Sequence, residues 1–139
     1  MALSGPDEWL VASTVVLEAE GEPHEGQVAV ARVIRNRMEA RGRSASQVCL
    51  QRLQFSCWNH DEKRREALSR LFSTESWAAA LLAVVEAFGD DAPDPSHGAS
   101  HYLNEAATRA GRPDGLLPSW FREDRVTIRI GRHTFLALG

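Results

Sequence analysis

Apolar positions recur at helical spacing along most of the chain and switch to strict alternation only near its end. At about 100° per residue, Trp9, Val11, Ala12, Val15, Val16 and Ala19 fall in one broad arc. Ser4 and Asp7 supply a helix start, with Pro6 just inside it. Gly21 stops this helix, and Pro23 prevents its continuing. A second helix is expected from His24 or Glu25 to about Arg41, ending at Gly42, with Val28, Val30, Val33, Ile34 and Met38 set among arginines. "SASQVCLQR" reads as a short third helix capped by Ser44. Residues 61–71 are charged and compatible with a helix. "TESWAAALLAVVEAF" is the most apolar helix, capped by Thr74 and ending at Gly89, and is expected at the centre of the fold. "GDDAPDPSHGAS" is a loop by composition. After it come "HYLN", a polar stretch and "LPSW". "RVTIRIGRHTFLAL" alternates on either side of Gly131 and Arg132, which predicts a β-hairpin.

Composition narrows the class. At 139 residues the chain is expected to form one domain over 1–139. A chain of this length buries roughly two thirds of its unfolded surface, so it needs no metal or disulfide to fold. A net charge of −3 argues against nucleic acid as the main partner, because phosphate binding rests on clustered Lys and Arg. Lys63 is the only lysine, and no function is read from the arginine preference. The four tryptophans, Trp9, Trp58, Trp77 and Trp120, suit a small core better than the floor of a carbohydrate cleft, although both uses are open. Cys49 and Cys57 read as a free buried pair, with a single bridge as the alternative. The start, "MALSGPDEWLVASTVV", lacks a basic segment and places Pro6, Asp7 and Glu8 before the apolar run, unlike a signal peptide. No apolar run is long enough to span a membrane. The protein is therefore expected to be made in the cytoplasm without integral membrane association. A target beyond the membrane would require another agent to let it across.

The candidate chemistry lies at the first helix break. In "LEAEGEPHEGQVAVARVIRNRM", from Leu17 to Met38, four carboxylates crowd around Gly21 and Pro23. Glu18 sits in the last turn of the first helix, on the border of its apolar arc. A carboxyl there is partly desolvated and near a helix C-terminus, and both effects favour its neutral, proton-carrying form. Such a form is what glycosidic cleavage asks of a general acid. The competing reading is a solvated flank residue. Glu20 projects elsewhere, and Glu22 and Glu25 stand where carboxylates favour the start of the second helix, so capping is expected of both.

These residues also carry a resemblance. The stretch from Leu17 to Met38 resembles the signature of the cell-wall hydrolase family that includes the spore cortex-lytic enzymes: a helix ending in Glu-Ala-x-Gly-Glu, then Pro, then Glu-Gly-x-x-Ala-Val-Ala-x-Val-Ile-x-Asn-Arg. The likeness continues in "QFSCWN" (Gln54 to Asn59), "GASHYLN" (Gly98 to Asn104), "LPSW" (Leu117 to Trp120) and "IGRHTF" (Ile130 to Phe135), in the family's order. The first block is specific; "QFSCWN" and "GRHTF" are weak alone.

The resemblance implies a mainly helical (α+β), lysozyme-like fold, like the catalytic domain of a lytic transglycosylase, with the C-terminal hairpin as its small β part. It implies action on the glycan strands of peptidoglycan without a cofactor, with Glu18 as catalytic acid/base and Glu22 in a supporting place. A lytic transglycosylase uses one carboxyl for both proton transfers, whereas a muramidase commonly needs a second one across the bond. No facing carboxylate is obvious in the sequence, although Asp61 or Glu62 could fold opposite, so the transglycosylase is expected and the muramidase is the alternative. Glu20 stands where the family commonly has Arg. The spore enzymes carry an export signal and a wall-binding domain that this chain does not show, which suggests a phage or prophage endolysin released through a holin-type lesion. Ser56, His101, Tyr102 and Asn104 lie in matched blocks as substrate-binding candidates, each with a loop or capping role as its rival. Trp58 and Trp120 are expected in packing, and His133 in a structural place. Two readings from other classes remain. The first is a zinc amidase that cuts peptide stems: His97 and His101 are four apart, as zinc ligands on a helix would be, but "HGASH" contains Gly98, follows Pro95 and lacks the glutamate of His-Glu-x-x-His, so no metal is expected. A non-catalytic wall-binding or virion structural module would need none of this chemistry.

Overall fold

The structure, a computed structural model, describes residues 1–51 and 75–139. The expected helix over 61–71, the Thr74 cap, and Ser56, Cys57, Trp58, Asp61 and Glu62 lie outside the described residues.

The first helix, α1 (Gly5–Ala19), starts where Ser4 Oγ accepts from the Asp7 amide at 3.2 Å. Its apolar arc is buried except at Trp9, which is 37% exposed and lies against Trp77, with ring centroids 6.2 Å apart. Helix α2 (His24–Arg41) ends at Gly42 in the left-handed conformation, and α3 (Ala45–Cys49) opens on a complete Ser44–Gln47 capping box. Cys49 is a free, buried thiol, which burial pushes up to about 12 despite a Thr14 hydrogen bond. Helix α4 (Glu75–Ala87) follows.

The helix expected at the centre is not the central one. Helix α4 leaves Leu82 and Val85 65% and 61% exposed. Helix α2 buries the consecutive run from Val28 to Ala31 and then Val33 and Ile34. Small side chains on every face let it pack against α1, α3, α4 and the sheet together. Its polar residues serve the loop that follows α4. Arg35 Nη1 donates to the Ala87 and Gly89 carbonyls at 3.0 and 2.8 Å, closing the end of α4. Arg32 donates to Ala92 O at 3.0 Å, and Arg37 Nε to Ser100 O at 2.5 Å. Asn36 Nδ2 reaches both Asp94 Oδ2 (3.0 Å) and Ala99 O (2.9 Å). Asp94 in turn accepts from the Ser96 and Gly98 amides at 2.8 and 2.9 Å.

That pinned loop delivers a strand absent from the sequence reading. Strand β1 (His101–Asn104) pairs antiparallel with β3 (His133–Leu136), and β3 pairs antiparallel with β2 (Val126–Ile130), in the order β1-β3-β2. The expected hairpin is β2–β3. The register sets Tyr102 opposite Phe135, Asn104 opposite His133, Ile128 opposite Phe135 and Ile130 opposite His133. Strand alternation puts these six side chains on one face, with Phe135 and Ile130 in the helical core. His101, Leu103, Thr134 and Leu136 share the other face. At the bulge in β2, Thr127 Oγ1 donates to Ser96 O at 2.6 Å, tying the sheet to the loop. Asn104 also caps α5 (Glu105–Ala110). No helix among the described residues is long and apolar enough to cross a membrane.

Candidate active site

The helix break and the hairpin turn meet, although 110 positions of sequence separate their joined residues. Gly21 leaves α1 with φ 83, and the Glu22 side chain turns inward to the hairpin. Glu22 Oε1 accepts from the Arg132 amide at 2.8 Å, and Oε2 accepts from Arg132 Nε at 2.9 Å. Gly131 makes this approach possible. Its φ is 57, and a Cβ there would stand 2.9 Å from Pro23 Cδ and 3.0 Å from Glu22 Oε1. A Cβ on Gly26, in the first turn of α2, would touch Ile130 at 3.4 Å.

Burial raises the Glu22 carboxyl, but the two Arg132 bonds and the charges of His133 and Arg132 outweigh it, so the net shift is downward. Glu22 is therefore an anion at neutral pH. Its partner corrects the capping expectation, because the side chain fastens the break to the hairpin and not to α2. The link to α2 comes instead from Gln27, whose Nε2 donates to the Ala19 and Glu22 carbonyls at 3.4 Å each. Glu25 is exposed in the first turn of α2, and Glu20 is exposed beyond α1.

Glu18 is half-buried in the last turn of α1, and its charge acts on His133. His133 opens β3 with its side chain 7% accessible and its Nδ1 3.4 Å from Glu22 Oε1. The Tyr102 ring meets it edge-on at 5.1 Å and 72°, and Phe135 lies 5.9 Å from Tyr102. Burial lowers the His133 imidazole below its ordinary value; Glu22 and Glu18 oppose this, and Arg132 adds to it. Glu18, Glu22, His133 and Tyr102 thus form one neighbourhood.

The remaining candidates separate from it or serve elsewhere. Asn104 shares the face of Tyr102, and its Oδ1 accepts from the Ala107 amide at 3.0 Å as the cap of α5. His101 occupies the opposite face at the far end of β1. Its ring lies 5.4 Å from Trp120, and its Nδ1 is 2.8 Å from Ser100 Oγ. Burial, with Arg37 and Arg41, lowers His101 to about 4. Trp120 is 40% exposed, so it is not the core residue expected. His97 and His101 lie on a loop and a strand, not on one helix face as zinc-binding spacing would require. Sequence reasoning missed Arg132 and His133 as members of the site. The available signal was "GRHTF" itself, in which a turn glycine is followed by a cation and an imidazole in a half-buried hairpin.

The same architecture occurs in two solved structures. The catalytic domain of the germination-specific lytic transglycosylase SleB from Bacillus anthracis is 29% identical, with a TM-score of 0.67, and the match covers 97% of each chain. The catalytic domain of the Bacillus cereus SleB protein is also 29% identical, with a TM-score of 0.69, and the match covers 97% of this chain and 92% of that one. The fold is therefore the lysozyme-like, mainly helical fold of a lytic transglycosylase catalytic domain with a small antiparallel sheet. The chain belongs to the cell wall hydrolase family, whose profile matches residues 21–136. Spore cortex-lytic enzymes of Halalkalibacterium halodurans and Bacillus subtilis are 34% and 31% identical to it over 134 and 141 residues, 95% of this chain in each case. The chain spans about a third of the length of these relatives, 35% and 38%.

Proposed function

We propose that the chain degrades peptidoglycan by cleaving the bond between N-acetylmuramic acid and N-acetylglucosamine as a lytic transglycosylase, with Glu18 as its acid/base. One observation carries the reading: Glu18 is half-buried beside a break whose other inward carboxylate, Glu22, is already committed as an anion to Arg132. Membership of the cell wall hydrolase family supports the substrate class, and the SleB catalytic domains support the reaction type.

In this mechanism the Glu18 carboxyl gives its proton to the glycosidic oxygen as the bond to the muramic C1 breaks. Positive charge develops at C1 and the ring oxygen. The same sugar's 6-hydroxyl oxygen then attacks C1, and its proton passes to the Glu18 carboxylate. The acid is regenerated, and the product is a 1,6-anhydro ring. One carboxyl serves both transfers. A hydrolytic route would call on a second carboxylate across the bond. Among the described residues near Glu18, Glu22 is held by Arg132, while Glu20 and Glu25 are exposed.

Mass spectrometry of digested peptidoglycan tests the proposal. Fragments ending in 1,6-anhydro-muramic acid, lighter by one water than reducing-end fragments, are expected. Reducing-end products alone would replace ring closure by hydrolysis at the same bond, and intact glycan with free peptide stems would refute the reading. Glu18→Gln keeps the shape and removes the proton, so it should fold normally and release no fragments.

A further inference from the structure

Arg132 is anchored from inside and open on the outside. Its amide and its Nε both donate to the Glu22 carboxylate, at 2.8 and 2.9 Å. The carboxylate is buried, while the Arg132 side chain is 65% exposed. Among the described residues, Nη1 and Nη2 make no hydrogen bond. The guanidinium lies over the helix break, with Nη2 3.5 Å from where a Cβ on Gly21 would stand. Gly21 follows the candidate acid, Glu18, by three positions.

An ordinary surface arginine loses rotamer freedom when a ligand fixes it, and that loss weakens binding. Here Glu22 has already fixed the guanidinium as part of the fold. What remains is the Nη edge, a planar set of N–H donors whose geometry matches a carboxylate. The Glu22–Arg132 pair is a dipole, with its negative end inside and its positive end at the surface above the break. Glu20 and Glu25 are exposed, so water and salt screen their charges there. Peptidoglycan brings a suitable anion. Each muramic sugar bears a lactyl group, which ends in a carboxylate where the stem peptide is absent; where the stem is present, it carries carboxylates of its own. N-acetylglucosamine has neither.

We propose that Arg132 is a substrate-binding residue whose Nη edge takes a carboxylate of the muramic substituent. It thereby sets the register of the alternating strand, so that a muramic C1 and not a glucosamine C1 comes to Glu18. This rests on the glycan-cleaving reading, with Glu18 as the acid.

Two measurements test it. The first compares kcat/KM of wild type and Arg132→Gln on stem-free strands, which carry the lactyl carboxylate, and on strands with stems, each before and after its carboxyls are amidated. Damage to the fold would lower activity on a strand and on its amidated form alike. Lost recognition should cost roughly three- to tenfold more on the carboxylate form than on its amidated partner. The strand that shows the difference names the source of the carboxylate; no difference on either overturns the proposal. The second needs neither turnover nor a variant. The Arg132 Nε–H and backbone amide are followed by 15N NMR in the wild type during titration with N-acetylmuramic acid, with the free stem peptide and with N-acetylglucosamine. A carboxylate probe should move both signals, and N-acetylglucosamine should not. No movement with either carboxylate probe, or equal movement with N-acetylglucosamine, overturns the proposal. Continued cleavage by Glu18→Gln would instead defeat the acid assignment, which the titration does not address.

Discussion

Replacing Glu22 by glutamine should loosen the protein before it touches the chemistry. The carboxylate accepts two bonds from Arg132, one from the amide and one from Nε. Bonds to a charged acceptor are worth roughly 1.5–3 kcal/mol each when shielded. The Arg132 side chain is 65% exposed and rehydrates when released, so its share falls below about 1 kcal/mol. Glutamine keeps a neutral acceptor for the amide and loses only the charge assistance there. The expected cost is about 1–2 kcal/mol, or roughly 3–10 °C in Tm for a domain of this size. Glu22→Ala loses both bonds and leaves the turn amide facing a void, at about 3 kcal/mol. The sign of the pH effect follows from the lowered Glu22 value. Its contribution is fully present above the unfolded carboxyl value and is lost as pH falls through the folded one. The gap between wild type and Glu22→Gln should therefore narrow in acid. Thermal melts by circular dichroism, with glycan cleavage assayed well below both midpoints, give the answer. An unchanged melting curve together with complete loss of cleavage would show that Glu22 takes part in the reaction and does not merely brace it.

Three further outcomes are expected. Gly131→Ala meets a positive φ, about 1–2 kcal/mol by itself, and also drives a Cβ into Pro23 and Glu22, whereas Gly42→Ala has φ 59 and open space. The first should cost clearly more than the second in urea unfolding; equal costs would mean that the close approach is not felt. Asn36→Ala deprives Asp94 and Ala99 O of their shared donor, and a loss of about 1–3 kcal/mol with faster amide exchange over residues 92–100 is expected. His101 moves from 6.5 to about 4 on folding, so the folded state binds fewer protons, and its stabilising effect is present above 6.5 and fades as pH falls towards 4. The full shift would be at most about 3 kcal/mol, and solvent screening of the half-exposed ring reduces this to roughly 1–2 kcal/mol. His101→Gln should flatten the stability profile in that range.

The helices were legible because their signals are local. The Ser4 cap, the Gly21–Pro23 break and the Gly42 stop lie within a turn of the residues they govern. The hairpin was legible for the same reason, with alternation on both sides of Gly131. Strand β1 was not, since four residues carry little periodicity and its partner lies some thirty positions on. Nothing local in the sequence marks which arginines of α2 are buried. Burial of Arg35 and Arg37 becomes intelligible only when the carbonyls of residues 87–100 are seen to come to them. Glu22 failed in the same manner, because carboxylates before a helix commonly serve its dipole and Arg132 is far away in sequence. In α4, apolar content pointed to the centre, but alanines and exposed Leu82 and Val85 make up much of it, and content does not fix position. Glu18 could be singled out from its place on the arc and from the family motif, but its neighbour His133 could not.

The strand order has a consequence for how the protein opens. Among the described residues, β1 and β2 do not pair with each other, and each has β3 as its strand partner. The sheet therefore has no partly assembled form that keeps two strands joined without its last one. Any excursion that lifts β3 away frees both neighbours together. It also carries off Arg132 and His133, leaving the Glu22 carboxylate inside without its cation. Loss of β3 and dismantling of the candidate site are thus one event, whereas β1 and β2, as edge strands, can each detach from β3 separately, so their backbone amides should exchange with lower free energies than those of β3.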